Sequence, residues 1–183
     1  MDREQALTLL NEYTKSDSLL KHAYAVEAAM RAYAQKFNED EELWAITGLL
    51  HDFDYEMYPD NHPWQGNKIL TEKDVSQEVR TAIMGHASFT NTPRESLMAK
   101  ALFAVDELSG FITAVTLVRP NKALSEVKPK SVKKKMKDKR FAAKVSREEI
   151  LQGAEELGVD FDEHIEFVLQ SMSVIAEKLD LNP

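Results

Sequence analysis

The hydrophobic positions of this chain recur at helical spacing almost from end to end. Leu19, Ala23, Val26, Met30, Tyr33 and Phe37 alternate steps of four and three, which gathers them on one buried stripe of a helix. The rhythm returns near the other end in Phe161, Ile165, Val168, Met172, Ile175 and Leu179. Between them, Leu43, Ile46, Thr47 and Leu50 form one inner face, Val79, Ala82 and Ile83 a second, and Ala99, Leu102, Phe103, Gly110 and Thr113 a third. Capping residues divide the chain accordingly. Asp2 opens a helix through about Tyr13, Ser16 or Asp17 one from Ser18 to Phe37, and Asp40 one that stops on His51. Pro63 suits the first turn of a helix to about Thr71, and further helices are expected over about Ser76–His86 and Glu95–Val118. Ser131 is placed to cap a short helix, followed by helices over about Ser146–Leu157 and Asp160–Leu179. The pattern predicts an all-α, single-domain helical bundle. Its central part spans about residues 18–118, with a basic segment and C-terminal helices over about 119–183.

Composition narrows the chemistry. With 183 residues, 43% hydrophobic and 30% charged, and only six Gly and six Pro, the chain can bury its own core. The absence of cysteine excludes disulfides, a thiolate nucleophile and thiolate-bound zinc or iron–sulfur centres, so any metal must rest on nitrogen and oxygen. The chain opens Met1-Asp2-Arg3-Glu4, and its longest apolar tract, Ala101 to Val118, is broken by Asp106 and Glu107. Both features point to a cytoplasmic protein without a membrane span. The net charge of −8 conceals an asymmetry: Arg119 to Arg147 holds 12 of the 23 Lys/Arg and 2 of the 31 Asp/Glu, net +10, leaving −18 elsewhere. An anionic small molecule fits that segment, whereas the acidic remainder argues against a general nucleic-acid binder. No Gly-rich phosphate loop, GxSxG elbow or helical HExxH is present, so serine-nucleophile chemistry and dinucleotide binding have no support.

The candidate chemistry lies in histidines and carboxylates at helix ends and on inward faces. His51-Asp52 closes the third helix, where the negative end of the helix dipole disfavours a carboxylate and a cationic neighbour would resolve the conflict. Asp106 interrupts the apolar face of its helix, and a buried carboxylate must be protonated, paired with a base or bound to a metal. His22 beside the stripe of the second helix, His62 before Pro63 and His86 on an apolar face each read alone as a hydrogen-bonded, core or solvent-facing histidine. Together with His51, Asp52 and Asp106 they number more ligands than one open catalytic metal needs, and two ions bridged by a carboxylate fit better. Iron or manganese is favoured, with Zn, Co, Ni and Mg also compatible. Asp54 and Glu56 follow the pair on an acidic loop; they are either solvated or placed to orient water or protonate a leaving group. Arg119, Lys128, Lys130 and Lys133 are candidates for substrate phosphate, with a solvated lysine face as the alternative. His164, off the centre of its stripe among acids, reads as structural or exposed.

This order of ligands, His22, then His51-Asp52, then His62 and His86, then Asp106, resembles the HD superfamily of metal-dependent phosphohydrolases over about residues 20–110. The run His62-Pro63-Trp64-Gln65-Gly66 is similar to that family's His-Pro-x-x-Gly segment. The resemblance implies that His22, His51, Asp52 and Asp106 hold one metal, and that Asp52 bridges to a second held by His62 and His86. It further implies hydrolysis of a phosphoester, such as a nucleotide or another small phosphorylated metabolite, by metal-activated water. Two other readings accompany it. A branch of the same superfamily uses these ligands in mixed-valent di-iron oxygenases, and a non-catalytic metal- or nucleotide-binding regulatory domain would keep the site without turnover. The chain departs from the family's His-Asp-aliphatic-Gly-Lys run, having Phe53-Asp54-Tyr55 after the pair. His86 is followed by Ala87, not by the second histidine of cyclic-di-GMP phosphodiesterases, which argues against that substrate.

Overall fold

In a computed structural model, which describes residues 1–182, the stripes close into a bundle of nine α-helices, with no strand among the described residues. These are α1 (Arg3–Tyr13), α2 (Asp17–Phe37), α3 (Glu41–Leu50), α4 (Trp64–Glu72), α5 (Gln77–His86), α6 (Leu97–Leu117), α7 (Pro129–Met136), α8 (Arg147–Leu157) and α9 (Phe161–Ser173). Side-chain oxygens satisfy the free N–H groups at most of the helix starts. Asp2 forms a capping box with Gln5, Asp40 accepts from Leu43 N, Ser96 from Ala99 N, Ser146 from Glu149 N, and Asp160 from Asp162 N and Glu163 N.

Three boundaries differ from the sequence expectation. Lys128, not Ser131, stands at the N-cap of α7, because Pro129 takes the first helical position, where its missing N–H is no loss. The expected helix from Glu95 starts at Leu97, since Ser96 supplies the cap. The last helix stops at Ser173 instead of Leu179, and the chain continues in turns that still bury Leu179 and Leu181. The apolar rhythm persists there because those turns keep the same face inward, so periodicity alone could not mark the end.

Helices α2, α3 and α6 form the middle of the molecule, with Val26, Ala29, Met30, Leu49, Leu50, Leu102, Val105 and Leu108 fully withdrawn from solvent. Each such Val, Leu or Met contributes about 1.5–3 kcal/mol by burial. Glycine sets the closest approach between helices. A Cβ on Gly48 would lie 2.9 Å from Met30 Cγ and from Val26 O, so α3 can press onto α2 only without one. A Cβ on Gly153 of α8 would lie 2.6 Å from Ala104 Cα on α6. The first contact carries the end of α3 to the start of α2, and thereby His51 to His22. His164 is buried in this core, where Nδ1 accepts the Tyr33 hydroxyl at 2.5 Å and Nε2–H donates to Ala104 O at 2.9 Å. Of its two readings, the structural one is correct. Among the described residues, no helix is long and apolar enough to cross a membrane.

Candidate metal centre

Four helices deliver the candidate ligands to one place. His22 lies in the second turn of α2, His51 caps the end of α3, His86 ends α5 and Asp106 sits midway along α6. Asp52 and His62 come from the segment between α3 and α4. His22 Nε2 is 3.0 Å from Asp106 Oδ1 and 3.2 Å from His51 Nε2, and His51 Nε2 is 3.4 Å from Asp106 Oδ1. Asp52 faces both ways: Oδ2 lies 3.5 Å from His51 Nε2, while Oδ1 lies 3.2 Å from His62 Nε2 and 3.3 Å from His86 Nε2. The rings of His62 and His86 also approach each other, Nε2 to Nε2, at 3.3 Å.

The far sides of three rings decide what the near sides offer. His51 Nδ1–H donates to Gly48 O at 2.7 Å, His86 Nδ1–H to Ile83 O, and His62 Nδ1–H to Asp54 Oδ1 at 2.6 Å. Carbonyl and carboxylate oxygens can only accept, so each Nδ1 bears the proton. In a neutral ring, Nε2 then presents a lone pair toward carboxylate oxygen and toward another imidazole nitrogen. Such an arrangement is repulsive unless a proton or a cation lies between the groups. Two atoms bound to one ion at about 2.1 Å lie roughly 3.0–3.4 Å apart, close to the spacings observed. The donor set therefore fits a borderline divalent ion. Two groups, His22–His51–Asp52 and Asp52–His62–His86, each bring ligand atoms within 4.8 Å of one another, close enough to hold a metal ion.

The electrostatics have the same sense. Burial alone would raise the carboxyls of Asp52 and Asp106, but the imidazoles around them prevail and hold both well below the usual carboxylate range. Burial disfavours a charged His62, yet Asp52 and Asp54 outweigh it and raise the ring to about 9. The cluster attracts positive charge.

An HD domain family model matches residues 19–110, just over half of the chain. The chain belongs to the HD domain family. No curated protein and no solved structure matched it. The matched segment begins three residues before His22 and ends four after Asp106, so the HD domain encloses the whole cluster.

Two acidic residues of this HD domain have duties that local sequence did not reveal. Asp54 is buried, and its oxygens accept from His62 Nδ1 at 2.6 Å and from Gly66 N at 2.6 Å. It stands behind His62, which corrects the expectation of an exposed loop acid placed to orient water or donate a proton. Gly66 makes this possible, because a Cβ there would lie 2.8 Å from Asp54 Cγ. Glu56 accepts from Lys15 N at 2.8 Å and Ser16 N at 2.9 Å, and so supports the start of α2 where Ser16 makes no side-chain cap. The loop after the ligand pair thus grips both the α4 start and the helix that carries His22. Glu107, next to Asp106, is pushed up to about 7 by burial and by that neighbouring carboxylate, and it accepts from Ser146 N at 3.1 Å.

The four cations expected at substrate phosphate are not brought to the cluster by any ion pair or hydrogen bond. Lys133 is paired with Asp162 at 2.6 Å, Lys128 and Lys130 lie exposed at the start of α7, and Arg119 follows the end of α6. The cation nearest in sequence to a cluster ligand is Lys21, held by Asp17 and Asp180 at 2.5 Å each.

Proposed function

We propose that the chain is a metal-dependent phosphohydrolase that cleaves a phosphoester with water. In this reading His22, His51, Asp52 and Asp106 hold one divalent ion, Asp52, His62 and His86 hold a second, and iron or manganese occupies the pair. The observation that carries the reading is the two-sided placement of Asp52, with one oxygen toward His51 and the other toward His62 and His86. Bound ions of this kind supply activated water near neutral pH and neutralise charge on the phosphoryl oxygens. In the reaction a water oxygen forms the new bond to phosphorus, the ester P–O bond breaks, and the alcohol leaves with a proton.

The chain's own residues supply orientation. Gly48 O, Ile83 O and Asp54 fix three imidazoles so that their Nε2 atoms converge, and Asp54 also raises the basicity of His62. His22, Asp52 and Asp106 keep partly exposed side chains and form the accessible side of the cluster, while His51, His62 and His86 form its buried back. The substrate phosphoryl group is therefore received on the His22–Asp52–Asp106 side.

The test is phosphate release from a panel of phosphomonoesters with Mn, Fe, Co, Ni or Mg under strictly anaerobic conditions, with elemental analysis of the wild type and Asp106→Ala. Release without dioxygen, together with two metal equivalents in the wild type, is expected. An absolute requirement for dioxygen with a mixed-valent di-iron EPR signal would refute hydrolysis, and a single metal equivalent would refute the shared Asp52.

A further inference from the structure

A cavity of about 470 Å³ opens beside the exposed edge of His22. Its walls are the first turns of α2, the second half of α6 and the C-terminal turns, and its apolar lining comes from Leu19, Leu117, Leu179 and Leu181. Lys21 ties Asp17 to Asp180 at the rim, which fastens the C-terminal segment beside the cavity and offsets one of the two rim charges. His22 belongs to two environments: Nε2 faces Asp106 and His51, and the residue also lines the cavity.

Gly110 lines the cavity beside His22, and its presence needs a reason. A glycine within a 21-residue helix destabilises it relative to alanine. Neighbouring atoms account for the other glycines inside helices: a Cβ at Gly48, Gly66 or Gly153 would meet an atom within 2.9 Å, and one at Gly85 would meet Arg94 Cγ at 3.1 Å. A Cβ at Gly110 would meet only His22, at 3.9 Å, which is ordinary contact. The fold does not demand this glycine. What its bare backbone provides is room beside the Cε1–Nδ1 edge of His22, the one cluster ligand that also lines the leucine-walled cavity.

We infer that this cavity is the substrate subsite for the alcohol portion of the phosphoester, and that it selects an uncharged, apolar group. The inference rests on the phosphohydrolase reading for the identity of the phosphoryl end, but the subsite is defined by its own walls. A phosphoryl group on the His22–Asp52–Asp106 side directs its ester oxygen past Gly110, and the attached carbon chain or ring displaces water from Leu117, Leu179 and Leu181. Polyhydroxylated alcohols would lose hydrogen bonds to water along the leucine wall, where the hydroxyl of Thr113 already donates to Ser109 O at 2.9 Å; Asp17, Ser18, Lys21 and Asp180 are the other polar residues of the lining. The space suits a group the size of a small aryl or six- to eight-carbon chain.

The subsite is tested by calorimetric titration of the manganese-loaded protein with hexylphosphonate and methylphosphonate, which carry the same anionic head and cannot be hydrolysed at an ester bond. The wild type is expected to bind hexylphosphonate at least tenfold more tightly. Gly110→Leu, which fills the room beside His22, and Leu117→Asp, a half-exposed position that tolerates a polar residue, should each remove that preference and leave methylphosphonate affinity within twofold. Equal wild-type affinity for the two phosphonates overturns the subsite and leaves the hydrolase reading standing. A hexyl preference that both variants retain also overturns it. A preference lost in the variants, in a protein that releases phosphate from no ester, supports the subsite and counts against the hydrolase reading.

Discussion

Replacing His164 with glutamine removes a titrating group from the middle of the bundle while keeping a donor for Ala104 O. In the wild type the ring is neutral: Nε2–H donates to Ala104 O and Nδ1 accepts from Tyr33, whose hydroxyl is fully buried. Burial lowers the His164 pKa from 6.5 to about 4. A depressed folded-state pKa means that the stabilisation is fully present above pH 6.5 and is lost as pH falls toward 4. A shift of about 2.5 units corresponds to about 3 kcal/mol, of which about 2 kcal/mol is lost between pH 7.5 and pH 5. In His164→Gln the Tyr33 hydroxyl loses its acceptor, which costs about 1–3 kcal/mol at every pH, but the acid-sensitive part disappears. Urea unfolding followed by circular dichroism at pH 7.5, 6 and 5 measures both proteins at equal metal content. The variant should be less stable at pH 7.5, and the gap should narrow by about 2 kcal/mol at pH 5, which leaves the two proteins within about 1 kcal/mol of each other. Contributions of the metal centre are common to both proteins and cancel in the difference. A gap that stays constant within about 0.5 kcal/mol would show that His164 is not a buried neutral ring.

Asp54→Asn should weaken binding of the metal shared by Asp52, His62 and His86 by about 10–100-fold, because His62 loses its carboxylate acceptor; competition against a chelator of known affinity reads this, and an unchanged affinity contradicts the positioning role. Gly153→Ala places a methyl group 2.6 Å from Ala104 Cα and should destabilise the α6–α8 contact by about 1–3 kcal/mol, lowering the melting temperature by roughly 2–12 °C. An unchanged melting temperature would mean that α8 is free to move away from α6. Removing metal with EDTA should lower the melting temperature, since an ion present at a thousand times its dissociation constant adds about 4 kcal/mol; a scan insensitive to both EDTA and added manganese would count against ion binding at the cluster.

The bundle was legible wherever one face of a helix is apolar and its start carries a Ser or Asp. The stripe of α2 and the caps Asp2, Asp40, Ser146 and Asp160 are local signals, and local physics decides them. Asp106 stood out because a carboxylate on an apolar face is costly wherever that face is buried. Asp54 was a candidate from sequence, but its place behind His62 was not legible, since its partners lie 8 and 12 residues further on and its neighbours Tyr55, Glu56 and Met57 are exposed. The start of α7 was misplaced because a lysine run gives almost no periodicity, leaving Pro129 as the deciding residue. Gly110 carried no signal at all in sequence: its meaning depends on how little surrounds it, which only packing reveals.

His51 and His86 both stand where a helix runs out, and each ring is held by a carbonyl three residues earlier in its own chain. Two helix C-termini are thereby aimed at one point, each equivalent to roughly half a negative charge. Added to the carboxylates of Asp52, Asp54 and Asp106, and only partly offset by the raised imidazoles of His51 and His62, they give the cluster a field that favours cations over a phosphate. Divalent ions held by these ligands would reverse that field. On the hydrolase reading, the expected order of binding is therefore cation first and phosphorylated molecule second, an order set by backbone as much as by side chains.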